Sequence, residues 1–597
     1  MPSPDRLLDR RLRPGHALLE AGRAMADDCR LGESAFMRAS GCASEAAYKR
    51  MIEGTGRIMQ HAHIGFRDVG RTVEAMRTVR DTCATRGVTV DRFGITLDWS
   101  MGYPLAMRAS AGRGTGIVMN DTGDFARIVN ACPAATHFGD FMLGLPGALD
   151  NTRAAIAAGV TSIGNLGQYF TFRLPYWDDD VATTEATVTA LGLIAAQDAE
   201  ILVHSNLDDG FAGLFVDMCC SLGMAIIEKY IIEDLTGARL SHCYGHHFSD
   251  PLSRLAFHAA LRQVNVTPGT MIFGNTVAYR AADAANYASL ANYLMADIMA
   301  LRRWPTGHAI NPVPVTENAR IPDVDEIIDA QCFATRLAQH APFYQEMIDW
   351  GHVESLSARL VVGGRQFAHD TLAGMAAAGV DIRDPAQLML AIRRTGPRVL
   401  EALYGPGTPA PATGGRTPVV VAQWARELDE MAEAWLETQA PLIARIRAAG
   451  GDAPCICVGT SDVHEHGKYL VERALAGLGA RIVDGGVSVD PDDLVARAAA
   501  GGADVIAVST YNGVALRYCR DVHAAMAARG MRATLLMGGR LNEIPADSNS
   551  GLPVDVTAEI AETGAVACTG LDELTGAIAD VLSRASVPVQ ADPEKTA

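Results

Sequence analysis

The sequence predicts an α/β chain in two parts, a (β/α)8 TIM-like barrel followed by a smaller doubly wound α/β domain. Three observations carry that prediction. Short apolar runs alternate with helical stretches from residue 55 to residue 325, most runs finish in polar or small residues, and a second, tighter strand–helix alternation begins at Ala453. Continuous apolar runs set between helices are the pattern of parallel strands buried on both faces. Eight such units in about 270 residues match the usual size of a closed barrel.

The elements follow in order. Residues 1–54 read as an N-terminal helical arm, with Leu7, Leu8, Leu18 and Leu19 spaced among charges. The barrel, 55–325, contains apolar runs at 57–65, 92–99, 116–121, 135–146, 160–167, 199–206, 225–232, 238–245, 267–275 and 308–317. Residues 326–404 read as a helical extension of the barrel. Residues 405–452 read as linker and helix, and the Pro- and Gly-rich stretch 405–418 has no periodicity of its own. Residues 453–585 repeat strand and helix as a doubly wound domain does, and 586–597 read as a loose tail.

The polar strand ends of the barrel are His61 and His63, Asp98, Asn120 and Asp121, Asn165, His204 and Asn206, His246 and His247, Asn275 and Glu317. Parallel barrels carry their active sites at this end of the strands. Each residue alone is equally a cap or a turn former, so the argument rests on their recurrence.

Charge and cysteine usage narrow the partners. The chain has 51 basic and 69 acidic residues, a net charge of −18, with no basic domain. Phosphate neutralisation needs clustered Lys and Arg, which excludes nucleic acid as the main partner. The twelve cysteines form no zinc frame and read as buried free thiols of a reducing cytoplasm. The N-terminus has no apolar core of a signal peptide. No run of about 18 uncharged apolar residues predicts a membrane span. The expectation is a cytoplasmic protein acting on a small molecule.

The densest chemical pattern lies in the C-terminal domain. Its first strand runs into Ser461-Asp462-Val463-His464-Glu465-His466-Gly467; 41 residues then separate Gly467 from Ser509-Thr510-Tyr511, and 26 more lead to Gly538-Gly539. Each piece falls at the C-terminal end of a strand, where open α/β sheets bind ligands. A neutral imidazole can ligate a metal, and a carboxylate two residues earlier can fix its tautomer.

This pattern resembles the cobalamin-binding module, DxHxxG…SxL…GG, of Rossmann-like (flavodoxin-like) fold. The resemblance implies that His464 is the lower axial ligand of cobalt and that Asp462 hydrogen-bonds its far ring nitrogen. It implies further that Gly467 admits the displaced nucleotide tail, that Ser509 meets the buried base, and that Gly538 and Gly539 let backbone approach the tail. By the same resemblance the contact set extends over Ser461, Val463, Glu465, Thr510, Tyr511, Arg540, Leu541 and Asn542. Tyr511 stands where the family has Leu, which alters packing around the base and removes no ligand. His466 reads as a solvent-facing neighbour.

A barrel followed by such a module resembles the adenosylcobalamin-dependent carbon-skeleton mutases, glutamate mutase and 2-methyleneglutarate mutase in particular. The local likenesses are Tyr244-Gly245 with Ala259–Arg262, Leu174-Pro175-Tyr176, and Glu317 with Ile321-Pro322. The resemblance implies that Glu317 binds the adenosyl ribose, that Tyr176 touches substrate, and that the chain forms a homodimer or higher homo-oligomer. It also implies an isomerase in which a 5′-deoxyadenosyl radical abstracts and returns a substrate hydrogen.

The family grips its dicarboxylate with three arginines. The matching positions here, around Ala62-His63, Ser100–Gly102 and Leu143-Gly144, hold none; the adenosyl-site Lys near Val313 is missing, and the family's substrate Glu falls near Gly164-Asn165. Arg67, Arg173, Arg280 and Arg320 can replace some of that charge, or pair on the surface. The expected substrate is therefore a small amino or hydroxy acid-like molecule other than glutamate. The rival readings are a corrinoid-dependent methyltransferase and a non-catalytic cobalamin-binding sensor.

Overall fold

The computed structural model describes residues 4–111, 114, 116–246, 248, 250–279, 283–410, 415–449, 453–462, 464–511, 513–544 and 553–585. The chain divides into two compact units, the first of residues 1–174 and 178–424, the second of 175–177 and 425–597.

The first unit is built on eight parallel strands: β1 (Met59–Ile64), β2 (Arg92–Ile95), β3 (Ala135–Phe138), β4 (Ser162–Ile163), β5 (Leu202–Asn206), β6 (Arg239–Cys243), β7 (Met271–Ile272) and β8 (Ala309–Ile310). They hydrogen-bond in the order β6-β5-β4-β3-β2-β1-β8-β7. The remaining seam, β6 to β7, is held by a single parallel bridge, Tyr244 to Ile272. Thr270 N–H donates to His242 O at 3.0 Å and Phe273 N–H to Tyr244 O at 2.7 Å along that seam. The barrel is thus nearly closed, as the alternation of runs and helices predicts.

Two of the ten apolar runs are not strands of this sheet. Residues 116–121 contribute only a bridge, Leu97 to Ile117, and lead into a helix capped by Asp121. Residues 225–232 continue the buried helix Met218–Lys229 into a further helical turn, Tyr230–Thr236. A short apolar run reads the same in a buried helix as in a buried strand, so periodicity cannot separate them.

Helices start just beyond the strand ends, and aspartates cap them. Asp68, Asp121, Asp179, Asp217 and Asp250 each accept a hydrogen bond from a first-turn N–H. Part of the acidic excess is therefore structural, since capping carboxylates satisfy donors that a helix cannot satisfy itself.

The segment read as an arm packs on the barrel instead of extending from it. Helix Gly15–Ala24 lies against helix Asp180–Ala195 through two glycines: a Cβ on Gly22 would stand 2.0 Å from Thr189 O, and one on Gly192 2.5 Å from Leu19 O. Helix Glu45–Glu53 places Glu45 and Lys49 at the N-terminal end of the strands. Lys49 Nζ donates to Gly307 O at 2.7 Å and Thr270 O at 3.1 Å, and Arg92 Nε meets Glu45 at 2.9 Å. All three side chains are fully buried. Burial pulls Lys49 down to about 8 against the attraction of Glu45. Such a cluster holds because each charge keeps its partner.

Two boundaries also differ from the sequence reading. Helix Val324–His340 packs against β1 and the helix Val69–Thr85, completing the eighth strand–helix unit of the barrel. The stretch 405–418 is not an open linker. It carries a two-residue antiparallel ladder, β9 (Pro409–Ala410) with β10 (Gly415–Arg416). Just beyond, Asp217 accepts from Val419 N–H at 2.7 Å and Val420 N–H at 3.1 Å, so the chain through Trp424 stays on the first unit.

The second unit has the parallel sheet β12-β11-β13-β14-β17, with β11 (Cys455–Thr460), β12 (Arg481–Gly486), β13 (Val505–Thr510), β14 (Thr534–Gly539) and β17 (Val566–Cys568). A short antiparallel pair, β15 (Asn542–Glu543) with β16 (Val554–Asp555), lies between the last two. In order of appearance the strands run second, first, third, fourth, fifth, so the switch point falls between β11 and β13. Helices Gln423–Glu437 and Ala440–Ala449 pack here. Trp435 Nε1 donates to Asp572, and Leu442 and Ile446 join a core with Ile456, Leu475 and Ile578. The tail 586–597 lies outside the described residues.

Candidate functional sites

The first site is built at the switch point of the C-terminal sheet. After β11 the chain bends at Ser461 and Asp462, with Ser461 N–H donating to Ser509 O at 3.0 Å. Asp462 is buried, and one of its oxygens accepts from His464 N–H at 3.0 Å and from the His464 ring at Nδ1, 2.6 Å away. Its other oxygen accepts from Tyr511 N–H at 2.7 Å. Burial alone would raise this carboxyl; the His464 ring and these hydrogen bonds outweigh it and hold Asp462 below its ordinary range. With Nδ1 donating to Asp462, Nε2 carries the lone pair, and the His464 side chain is 40% exposed. The ring is steadied from one side by Tyr511, centroid to centroid 4.2 Å, and Arg540 lies over Tyr511 at 4.6 Å.

The neighbouring backbone forms a cradle. Gly467, in the first turn of helix His466–Leu478, faces Ser509, and a Cβ there would stand 2.3 Å from the Ser509 hydroxyl. Gly538 and Gly539 end β14; Gly539 has φ +89° and closes on Thr510, whose carbonyl accepts from Arg540 N–H at 2.8 Å. Among the described residues, the Thr510 hydroxyl and the Asn542 Oδ1 are buried without a hydrogen-bond partner, and Leu541 packs into the domain core. Glu465 precedes helix His466–Leu478 as its N-cap. Val463 lies outside the described residues.

An imidazole oriented through Nδ1, glycines that leave no side chain beside it, and hydroxyl and amide oxygens buried without a partner among the described residues suit a corrinoid that brings both a metal and a polar tail. Residues 455–566 of the C-terminal unit match the family described as B12 binding domain. A 90-residue stretch is 33% identical to the glutamate mutase sigma subunit of Halobacterium salinarum, covering 15% of this chain and 60% of that subunit. The chain thus matches about three-fifths of its relative's length.

The barrel holds a second cluster. His61 and His63 of β1, His137 of β3 and His204 of β5 point inward above Arg92. Gly94 makes room for two of them: a Cβ there would lie 2.7 Å from the His61 ring and 2.8 Å from His63 Nδ1. Burial first, and the Arg92 cation with it, hold His61 and His204 well below their ordinary range and His63 at about 4. For His137, burial and then the neighbouring His204 do the same. All four are neutral imidazoles. Among the described residues, His61 Nε2, His63 Nδ1, His137 Nε2 and the side-chain Oδ1 and Nδ2 of Asn311 are buried without hydrogen-bond partners. Among the described residues, no three of these groups bring a ligand atom each within 4.8 Å of one another.

Above them stand three aspartates, Asp140 after β3 and Asp208 and Asp209 after β5. Asn165 positions Asp209: its Oδ1 accepts from Asn206 N–H and Gly167 N–H, both at 2.9 Å, and its Nδ2 donates to Asp209 at 2.6 Å. His246 N–H donates to Asp208 at 2.9 Å. Burial pushes Asp140 up to about 6. Burial and then the charges of Asp140 and Asp208 push Asp209 well above its usual range.

The strand ends singled out from sequence therefore divide. Asn165, His204, Asn206 and His246 join this cluster, whereas Asp98 is a turn former that accepts from Ser100 N–H at 2.9 Å and Gly114 N–H at 2.8 Å. Glu317 lies exposed in the turn after β8, with its N–H donating to Pro314 O at 3.1 Å, close enough to act on the Tyr279 phenol. Tyr176 is 70% exposed, has φ +56°, and belongs to the stretch 175–177 that groups with the second unit. Among the candidate arginines, Arg67 donates to Gly114 O, Arg173 pairs with Asp178, and Arg320 pairs with Glu326 at 2.5 Å. Arg280 and His247 lie outside the described residues.

Sequence reading missed His137, Asp140, Asp208 and Asp209. The signal was present in Thr136-His137-Phe138-Gly139-Asp140 and Asn206-Leu207-Asp208-Asp209, where each strand end continues into acid.

Proposed function

We propose that the chain is an adenosylcobalamin-dependent radical mutase that rearranges the carbon skeleton of a small amino or hydroxy acid-like substrate. One observation carries the reading. A cobalamin-binding domain, with partial identity to a glutamate mutase sigma subunit, shares a chain with a nearly closed barrel whose interior is lined by neutral imidazoles and carboxylates. The barrel interior offers no three-ligand imidazole or thiolate set among the described residues. That speaks against zinc activation of a methyl acceptor.

His464 would hold the cobalt through Nε2, with Asp462 accepting from Nδ1–H so that the donor nitrogen is the correct one. Ser509, Thr510 and the glycines 467, 538 and 539 would hold the tail. When bound, adenosylcobalamin supplies a carbon-centred radical by homolysis of its cobalt–carbon bond. The barrel's own contribution is to bind and orient the substrate with its inward polar groups and to keep bulk water away from the reacting carbon.

The test loads the full chain with adenosylcobalamin and screens amino and hydroxy acids by EPR. Cob(II)alamin coupled to an organic radical, with deuterium passing from labelled cofactor into substrate, is the expected result. Methyl transfer from methylcobalamin to a thiol, with no radical from any acid, would overturn it.

A further inference from the structure

We infer that the N-terminal end of the barrel carries a second small-molecule site, a cavity that takes a short amino acid with its ammonium on Glu53 and its carboxylate on Arg302. This site lies at the opposite end of the strands from the histidines and aspartates of the barrel mouth and does not depend on the cobalamin reading.

Three observations carry it. First, there is room. A cavity of about 250 Å³ lies between two strand entrances: helix Glu45–Glu53 with the turn into β1, and the end of helix Asp283–Arg303 with the turn into β8. Lys49, Glu53, Arg57, Arg302, Thr306 and Gly307 are among its walls. Gly56, Arg302 and Pro305 on its rim are exposed, so it opens to solvent. The volume falls below the range of about 300–1,000 Å³ that drug-sized ligands fill, and suits a molecule of a few heavy atoms.

Second, the charges of the wall sort into paired and unpaired. Lys49 is committed to Glu45 at 3.3 Å and to two backbone carbonyls. Arg57 holds Asp91 with both terminal nitrogens, at 2.9 and 2.6 Å. These two pairs are the stabilising groups that this face of a barrel ordinarily carries. Glu53 and Arg302 remain. Among the described residues neither side chain makes a hydrogen bond or ion pair, with the other or with any third group. The adjacent Arg303, by contrast, meets Glu354 at 3.4 Å and lies over the Trp304 and Trp350 rings.

Third, the carboxylate is placed at the wall by a glycine. Glu53 Oε1 lies 3.2 Å from where a Cβ on Gly307 would stand, and Gly307 has φ +69°. A side chain there would be strained and would crowd the carboxylate. The cavity is thus left with one unpaired carboxylate and one unpaired guanidinium. A lone anion would face the first and a lone cation the second with like charge. A molecule carrying both charges satisfies both, and a guanidinium fork matches its carboxylate with two parallel N–H···O bonds.

The test measures binding of glycine, β-alanine and γ-aminobutyrate to the full chain near neutral pH by calorimetry, with n-propylamine and propanoate as single-charge controls. Wild type, Glu53→Gln and Arg302→Gln are compared. The expected result is that one of the three amino acids binds at least about fivefold tighter than either control, and that each substitution erases the preference. Equal binding of all five probes, tightest binding of a single-charge control, or a preference that survives both substitutions would overturn the assignment. Neither side chain has a partner to lose, so both variants should keep the wild-type circular dichroism and denaturant midpoint. Loss of the fold in either would show that group to be structural and would also overturn it. The two readings fail separately: a chain that takes no cobalamin leaves this site standing, whereas normal cobalamin uptake without an amino-acid preference removes this site alone.

Discussion

The two units solve the same architectural problem with opposite economies. Both are parallel sheets that present polar groups beyond the C-terminal ends of their strands. In the C-terminal sheet the site is local: an Asp and a His two residues apart and the ends of the next two strands along the sheet, with the key ring 40% exposed. In the barrel the polar groups come from six strands or their ends, and most are buried. A local site tolerates change around it, because its geometry is carried by short-range hydrogen bonds. A distributed site depends on the closure of the whole barrel.

The largest test of that contrast is at the barrel seam. Arg254 makes a two-point ion pair with Asp297, 2.7 and 2.8 Å, and donates to the carbonyls of Gly245 and Phe273 beyond β6 and β7, where the sheet meets through one bridge. Both partners are 1% exposed. Arg254→Leu leaves a buried carboxylate and should cost about 3–5 kcal/mol, read by denaturant unfolding of the full chain. Unchanged stability would mean that the seam does not need this pair.

His464→Gly comes next and should act on cofactor alone. Cobalamin affinity falls at least about tenfold, and the base-off, histidine-ligated spectrum disappears, while stability barely moves. Retention of that spectrum would show the ligand to be another group. Asp462→Asn keeps the ring and loses the charged acceptor, so a weaker effect in the same direction is expected.

Gly467→Val should do less still, crowding the Ser509 hydroxyl and slowing cofactor uptake without altering the bound spectrum. An altered spectrum would move Gly467 from the tail cleft to the ligand itself.

The gentlest comparison is in pH. Burial holds Asp140 and Asp297 at about 6 and Glu401 at about 7, above the range of an unfolded chain. These three acids alone would favour the folded barrel as pH falls from 7. Six buried histidines, His61, His63, His137, His204, His258 and His308, are held by burial below the ordinary histidine range and stay neutral where the unfolded chain takes up protons; they outnumber the acids, so stability falls as pH falls from 7 towards about 5. Asp462 is held low, so its contribution is intact there and is lost only below the ordinary aspartate range. A thermal-unfolding series that rose steadily from pH 7 to about 5 would contradict this sign.

Legibility followed the same division. The Asp462–His464 site could be read because its imidazole, the acid that holds the ring and its glycines sit at fixed chain spacings, and the strand ends that carry them are neighbours in a small sheet. The barrel could be counted, since most of its apolar runs became strands, but 225–232 shows where counting stops: helix and strand bury the same residues. Asp140 and Asp209 follow strand ends that the sequence marks, but nothing near them in sequence places those two ends at one barrel mouth. Asp98 and Asp121 stood out as strongly and became a turn former and a helix cap.

The amino-acid sequence by itself determined two α/β units, the order in which they occur, and the close spacing of Asp462, His464 and Gly467 after a strand end. These depend on periodicity and short spacings, which survive without three-dimensional context. Only the tertiary structure decided which polar residues face inward, that four histidines are neutral above one arginine, and that carboxylates from β3 and β5 meet at the mouth. Closure of the sheet brings together residues more than sixty positions apart, and their charge states follow from the burial that closure creates.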